Sequence, residues 1–223
     1  MTDATAIAND QSNSPVRGDS DSISISAIAI WAIVQLAAMT LIIARARFWI
    51  HAGDDNDALI VMLAAQIVAA SSFAPSLMRN FGTAICVTVS ALPFLHIAGT
   101  IAAADTGQLV RAEIAVVIWL TIVAIAMSIP RTQRLRGVMH AIVNCVSIGG
   151  LLLFYLHAEF RDINRAHDFA WFGPLAASIT LARRAQSVDS ITRAWIVLGA
   201  LTAIFLVMLI ANRVILIARA RRA

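Results

Sequence analysis

Four neutral polar side chains lie within long apolar stretches of this chain and have the clearest capacity for chemistry: Gln35, Gln66, His96 and Asn144. Amide and imidazole groups at membrane depth bind a small uncharged solute in a permease, or they join neighbouring helices by hydrogen bonds. Gln35 and Gln66 fall near the centres of their stretches, and Pro93 is expected to kink the third stretch near His96. The four residues are therefore the predicted substrate-binding set, with interhelical hydrogen bonding as the alternative role.

Ionised side chains are expected at the ends of the apolar stretches and not in their interiors. No Asp, Glu or Arg falls in the central two-thirds of any stretch. Ion-coupled carriers and pumps place a carboxylate or a basic residue at that depth, because charge movement requires one. The pattern therefore argues against an ion-coupled transporter.

Signatures of catalytic, metal and cofactor sites are absent from the sequence. There is no HExxH, GxSxG or phosphate-binding motif, and the 17 basic residues are all arginine, which excludes lysine-based chemistry. A haem bridged by two histidines is not expected, because His96 and His140 differ in depth by roughly 16 Å. Cys86 and Cys145 are interpreted as small buried hydrophobes. We predict no catalytic residue, no metal and no cofactor.

Six apolar stretches must position the four polar side chains. A helix rises about 1.5 Å per residue, so about 17 to 25 residues cross a hydrocarbon core of about 30 Å. Lipid satisfies no backbone polar group, and the stretches lack the alternation of barrel strands, so helices are predicted. The predicted spans are residues 23–44, 58–77, 82–104, 112–129, 138–156 and 194–213.

Three further segments complete the predicted organisation. An apolar stretch over residues 169–184 is too short to span a bilayer, and Pro174 suits the first turn of a helix there. We predict an interfacial or re-entrant helix, with a seventh span as the alternative. Residues 1–22 are predicted to form a disordered polar tail, and residues 219–223 a basic tail. The predicted fold is an all-α polytopic transmembrane bundle of six spans plus this short helix.

Composition and charge predict a bacterial-type inner (plasma) membrane and exclude nucleic acid as a partner. Hydrophobic residues make up 60% of the chain and charged residues only 13%. The arginines lie at the ends of apolar stretches, which is typical of membrane orientation and not of a nucleic-acid-binding face. The basic loop over residues 131–136 and the basic C-terminus favour cytoplasmic termini, whereas Arg45 and Arg47 favour the opposite orientation.

Three functions are compatible with this pattern. The leading hypothesis is a non-catalytic structural or accessory component of a membrane complex, in contact with the lipid bilayer and with a membrane-protein partner or a second copy of the chain. The alternative is a permease for a small neutral solute. A third, weaker hypothesis is a membrane enzyme that uses the charged loop from Glu159 to Asp168.

Overall fold

The computed structural model describes residues 24–48, 57–78, 80–130, 132–160, 173–184 and 186–220. Every regular element within these ranges is a helix, which confirms the predicted all-α class. The predicted polar N-terminal tail and the last residues of the basic tail lie outside the described residues. The helices are α1 (Ile25–Phe48), α2 (Asp57–Ser72), α3 (Ala74–Leu77), α4 (Phe81–Ile101), α5 (Thr106–Ser128), α6 (Gln133–Phe160), α7 (Pro174–Ala182) and α8 (Val188–Ala220).

Four stretches of helix are long and apolar enough to cross a membrane: Ile25–Ala44, Phe81–Ile101, Thr106–Ser128 and Val188–Ala218. The apolar helix Ala58–Ser72 is shorter. Large apolar side chains such as Val89 and Val207 are exposed on the outer surface. Large contiguous apolar surfaces of this kind are rare on soluble proteins. The described residues therefore form a helical bundle compatible with a membrane protein.

Hydrogen bonds between helices define the direction of the chain through the bundle. Ser24 N donates to Thr83 Oγ1 at 3.2 Å, close to the first turns of both α1 and α4. Trp31 Nε1 donates to Ser90 Oγ at 3.1 Å, two turns further along both helices. α1 and α4 therefore run in the same direction. α2 lies at the centre of the bundle and contacts α1, α4, α5, α6 and α7.

The predicted short helix forms as α7, and all nine of its residues are buried. An interfacial helix would keep a polar face in water, whereas α7 is packed against α2, α5, α6 and α8. Ala177 belongs to a buried cluster with Ala115 of α5 and Leu198 of α8. Residues 174–182 are therefore enclosed by other helices of the bundle.

Two arginines hold the C-terminal ends of α7 and α4. Arg111 Nε on α5 donates to the carbonyl oxygen of Leu181 at 3.2 Å. Arg184, which follows α7, donates to the carbonyl oxygens of Ala102 and Ala103 at the end of α4. A cation beside the last carbonyls of a helix is favoured by the helix dipole. Ala177 clusters with Ala115, one turn after Arg111, so α7 runs antiparallel to α5 and its first residue lies about 10 Å from Leu181 towards the centre of α5.

Candidate functional site

Two of the four predicted site residues meet near the middle of the bundle. Gln66 Nε2 donates to Gln35 Oε1 at 3.0 Å and to the carbonyl oxygen of Ala91 at 2.9 Å. Both glutamine side chains are buried. The contact joins α1, α2 and α4 near the mid-length of each helix. On α4 the acceptor belongs to Ala91, two residues before Pro93. We call Gln35 and Gln66 the midplane glutamine pair.

The midplane glutamine pair has one donor and one acceptor to spare. Among the described residues, Gln35 Nε2 and Gln66 Oε1 are buried and have no hydrogen-bond partner. Leaving a buried polar group unpaired costs about 1 to 3 kcal/mol. A molecule that reached these two atoms with a matching acceptor and donor would recover part of this free energy by binding. A small neutral molecule that carries an acceptor next to a donor, such as an amide, complements the two atoms.

The other two predicted site residues lie elsewhere in the bundle. The side chain of His96 is 62% exposed, and its Nδ1 lies 3.4 Å from Glu113 Oε1 on α5. Asn144 is half-buried, and its Nδ2 donates to the carbonyl oxygen of His140, one turn earlier in α6, at 3.1 Å. The hydrogen bonds found for the described side chains do not join either residue to the midplane glutamine pair.

The start of α5 explains why Glu113 was missed from the sequence. Asp105 Oδ1 accepts from Gln108 N at 2.8 Å, and Gln108 Oε1 accepts from Asp105 N at 3.0 Å. This capping box begins α5 at Thr106, earlier than the predicted residue 112. Arg111 and Glu113 therefore lie inside a membrane-length helix, and the expected absence of ionised residues from the interiors does not hold for α5. The Asp-x-x-Gln spacing was the available signal.

His96 and Glu113 form an acid–base pair on a largely apolar outer surface. Glu113 lies about 6 Å along the axis from the centre of α5, and His96 lies about 7 Å from the centre of α4. Exposed neighbours at helical spacing extend the same surface on both helices. We call this surface the α4/α5 face: Val89, Pro93, His96 and Thr100 of α4 with Val110, Glu113 and Ile114 of α5.

A second histidine, His140 of α6, hydrogen-bonds to the backbone where α2 ends and α3 begins. Pro75 has no N–H, which leaves the carbonyl oxygen of Ser71 without its helical donor, and the turn at Phe73 leaves that of Ser72 free as well. His140 Nε2 lies 3.1 and 3.0 Å from these two carbonyl oxygens. Carbonyl oxygens only accept, so Nε2 carries the hydrogen. His140 thus completes the backbone hydrogen bonding of another helix.

Trp119 of α5 also hydrogen-bonds to α2 at the point where that helix ends. Its Nε1 donates to Ser71 Oγ at 3.2 Å, and Ser71 Oγ in turn donates to the carbonyl oxygen of Ile67 at 2.8 Å. Ser71 and Trp119 are both buried. Three helices therefore meet at a hydrogen-bonded junction, which we call the α2/α3 break (Ser71, Ser72, Trp119 and His140).

The described residues offer little for metal or thiol chemistry. They contain no group of three or more His, Cys, Asp or Glu that could hold a metal ion. Most of the charged loop from Glu159 to Asp168 lies outside the described residues. Cys86 is half-buried and Cys145 is exposed, so the interpretation as a buried hydrophobe is wrong for Cys145.

Comparisons with known proteins assign no family. No protein-family model, no curated protein and no solved structure matches this chain.

Proposed function

We propose that this chain is a multi-pass integral membrane protein and a non-catalytic component of a membrane assembly, bound to its partner through the α4/α5 face. The acid–base pair carries this proposal. Ionisable side chains within a membrane nearly always face the bundle interior or a water-filled cavity, because lipid cannot solvate them. His96 is exposed on the outer surface, and Glu113 is 27% exposed beside it. A protein surface that covers the pair replaces lipid with hydrogen-bonding groups.

The apolar surroundings of the pair support a membrane partner and not an aqueous one. Val89 of α4 is 60% exposed, and Val110 and Ile114 of α5, which flank Glu113, are each 44% exposed. A partner helix with apolar residues and one polar group at matching depth would cover this surface. Interhelical contacts of this kind combine close packing with a few hydrogen bonds.

Site-specific photo-crosslinking in intact membranes tests the proposal. A photoreactive residue at Val89 or Ile114 should give discrete protein adducts, because the α4/α5 face is covered in the assembly. The matched control positions are Ile196 and Val207, which are similarly exposed on α8. If the α4/α5 positions and the control positions both react only with lipid, the assembly role is rejected.

The proposed topology is six crossings with a re-entrant α7, both termini on the cytoplasmic side of the inner membrane. The parallel course of α1 and α4 supports this topology, as does the position of α7 beside the first turns of α5. The loop over residues 102–105 and the turn after Arg184 would then lie on the outer side. Reporter fusions at both termini and at these two loops test the arrangement. A terminus that reports from the outer side rejects it.

A permease for a small neutral solute is the second candidate function, and the spare atoms of the midplane glutamine pair favour it. Gln35 Nε2 and Gln66 Oε1 present a donor and an acceptor at mid-depth. The N-terminus of α7 reaches a similar depth, and broken or short helices that end at the midplane are common at substrate sites of transporters. The predicted path also includes His96 and Asn144, although neither residue hydrogen-bonds to the glutamine pair in the described part of the chain.

Uptake into liposomes tests the permease. Vesicles with the protein should take up urea or formamide faster than empty vesicles, and the double variant Gln35→Leu/Gln66→Leu should abolish the difference. Thr192→Ala, an exposed position on α8, is the control. His96→Leu and Asn144→Leu test the remainder of the predicted path. Equal uptake by wild-type and empty vesicles rejects this function.

A further inference from the structure

We propose that the partner at the α4/α5 face is a second copy of this chain, related by a two-fold axis along the membrane normal. This inference rests on the proposed assembly role and specifies the partner. The acid–base pair supplies its chemistry, because the face carries an acid and a base side by side at nearly the same depth. A two-fold axis that passes beside the pair therefore brings each group to its complement.

Within the described part of the chain, His96 and Glu113 each use only one of their two polar side-chain atoms in a hydrogen bond. His96 Nδ1 and Glu113 Oε1 contact each other at 3.4 Å. For the described residues no second contact is found for His96 Nε2 or Glu113 Oε2, so these atoms remain for a group outside the chain. A second copy offers the same two atoms. His96 Nε2 of one copy then faces Glu113 Oε2 of the other, and the reverse contact follows by symmetry.

The surrounding surface matches itself in the same way. Val89, Pro93, His96 and Thr100 follow one another at intervals of three or four residues and are all exposed. With the two-fold axis between α4 and α5, this stripe faces the stripe of Val110, Glu113 and Ile114 on the second copy, and two such stripes pack when the helices cross at a shallow angle. An isologous contact requires a surface that is complementary to itself, and an acid and a base flanked by apolar side chains satisfy this requirement.

Co-expression of two different variants distinguishes contacts between copies from the contact within each chain. His96→Leu in one chain and Glu113→Leu in the other remove the acid–base pair inside both chains, and leucine cannot replace either hydrogen-bonding group. Across the proposed interface of the mixed dimer, Glu113 of the first chain still faces His96 of the second. The mixed dimer therefore retains one complementary contact, and each variant paired with itself retains none.

Energy transfer between terminally labelled full-length chains in liposomes measures the association, with lipid dilution as the titration. Wild-type chains should associate, and each variant alone should associate about tenfold more weakly, as expected for two lost interhelical hydrogen bonds. The mixed pair should associate about threefold more strongly than either variant with itself. Asp189→Asn, an exposed carboxylate at the start of α8, should match the wild type.

Three results overturn the second copy as the partner: wild-type chains that do not associate, variants that associate as strongly as the wild type, or a mixed pair no stronger than each variant alone.

A disulfide test is independent of these variants. In a chain with Cys86→Ala and Cys145→Ala, Val89→Cys on the α4/α5 face should crosslink to itself on oxidation, whereas Ile196→Cys on α8 should not. Absence of the Val89→Cys crosslink contradicts the interface. Photo-crosslinks from this face to a different protein would reject the second copy and leave the assembly role in place.

Discussion

His140 and His96 occupy contrasting environments in the same bundle. His140 is half-buried, and its Nε2 is held between the two carbonyl oxygens of the α2/α3 break. His96 is exposed and contacts a single carboxylate on the next helix. The first imidazole completes the backbone of a neighbouring helix, and the second presents polar atoms to whatever surrounds the bundle. A histidine in an apolar segment therefore has a role set by the groups around it and not by its depth alone.

Replacement of His140 should give the largest loss of stability. His140→Leu leaves the carbonyl oxygens of Ser71 and Ser72 without their donor, and we expect a loss of about 2 kcal/mol. Reversible unfolding in mixed micelles measures the change. His140→Gln, which retains a donor, should recover part of the loss. If His140→Leu is as stable as the wild type, His140 does not stabilise the fold and the two histidines do not differ in this respect.

The midplane glutamine pair gives an intermediate effect and sharpens the comparison. Gln66→Leu removes two hydrogen bonds and strands Gln35 Oε1, so we expect a loss of about 1 to 2 kcal/mol. The double variant with Gln35→Leu should be closer to the wild type, because both polar partners are then replaced. A double-mutant cycle of unfolding free energies checks the coupling. Strictly additive effects would show that the two side chains do not interact.

Trp119→Phe tests the second donor at the α2/α3 break. The substitution keeps an aromatic ring and removes the indole N–H that binds Ser71 Oγ, so we expect a loss of about 1 kcal/mol. Comparison with Trp119→Phe in a Ser71→Ala background separates the hydrogen bond from the change in ring size. The Trp119 substitution should cost less in that background, and an unchanged cost would assign the effect to packing.

His96→Leu should have the smallest effect on stability, within about 0.5 kcal/mol of the wild type, since exposed positions contribute little to folding. The same variant should weaken the contact at the α4/α5 face. Unfolding and association are measured on the same preparation. A large loss of folding stability would show that His96, like His140, stabilises the fold, which contradicts the proposed difference between the two histidines.

The sequence predicted the helical class and the central depth of Gln35 and Gln66, because both follow from the length of apolar stretches and the rise of a helix. Their mutual contact was not predicted, because the sequence placed them only in one set with His96 and Asn144. The boundary of α5 was predicted less well, since an apolar stretch ends where polarity changes and a helix begins where its first N–H groups are capped. Arg111 lies in the interval between these two positions, and Glu113 lies at the very start of the predicted span, where a charged residue at the membrane surface is expected.

The role of His140 was not predictable from local pattern. Its two acceptors belong to α2 and lie almost seventy residues earlier in the chain. Pro75 indicates that a carbonyl near Ser71 has lost its donor, but it does not indicate which helix supplies the replacement. Only the packing of α6 against α2 determines that partner.

The buried position of α7 has a consequence for biosynthesis. A helix of nine residues is about 13 Å long, and a segment of that length does not insert as a span while the chain is being made. In the proposed topology, α7 reaches its buried position only when both α6 and α8 have entered the bilayer, because it packs against both. We expect residues 174–182 to be accessible to protease from the outer side until then.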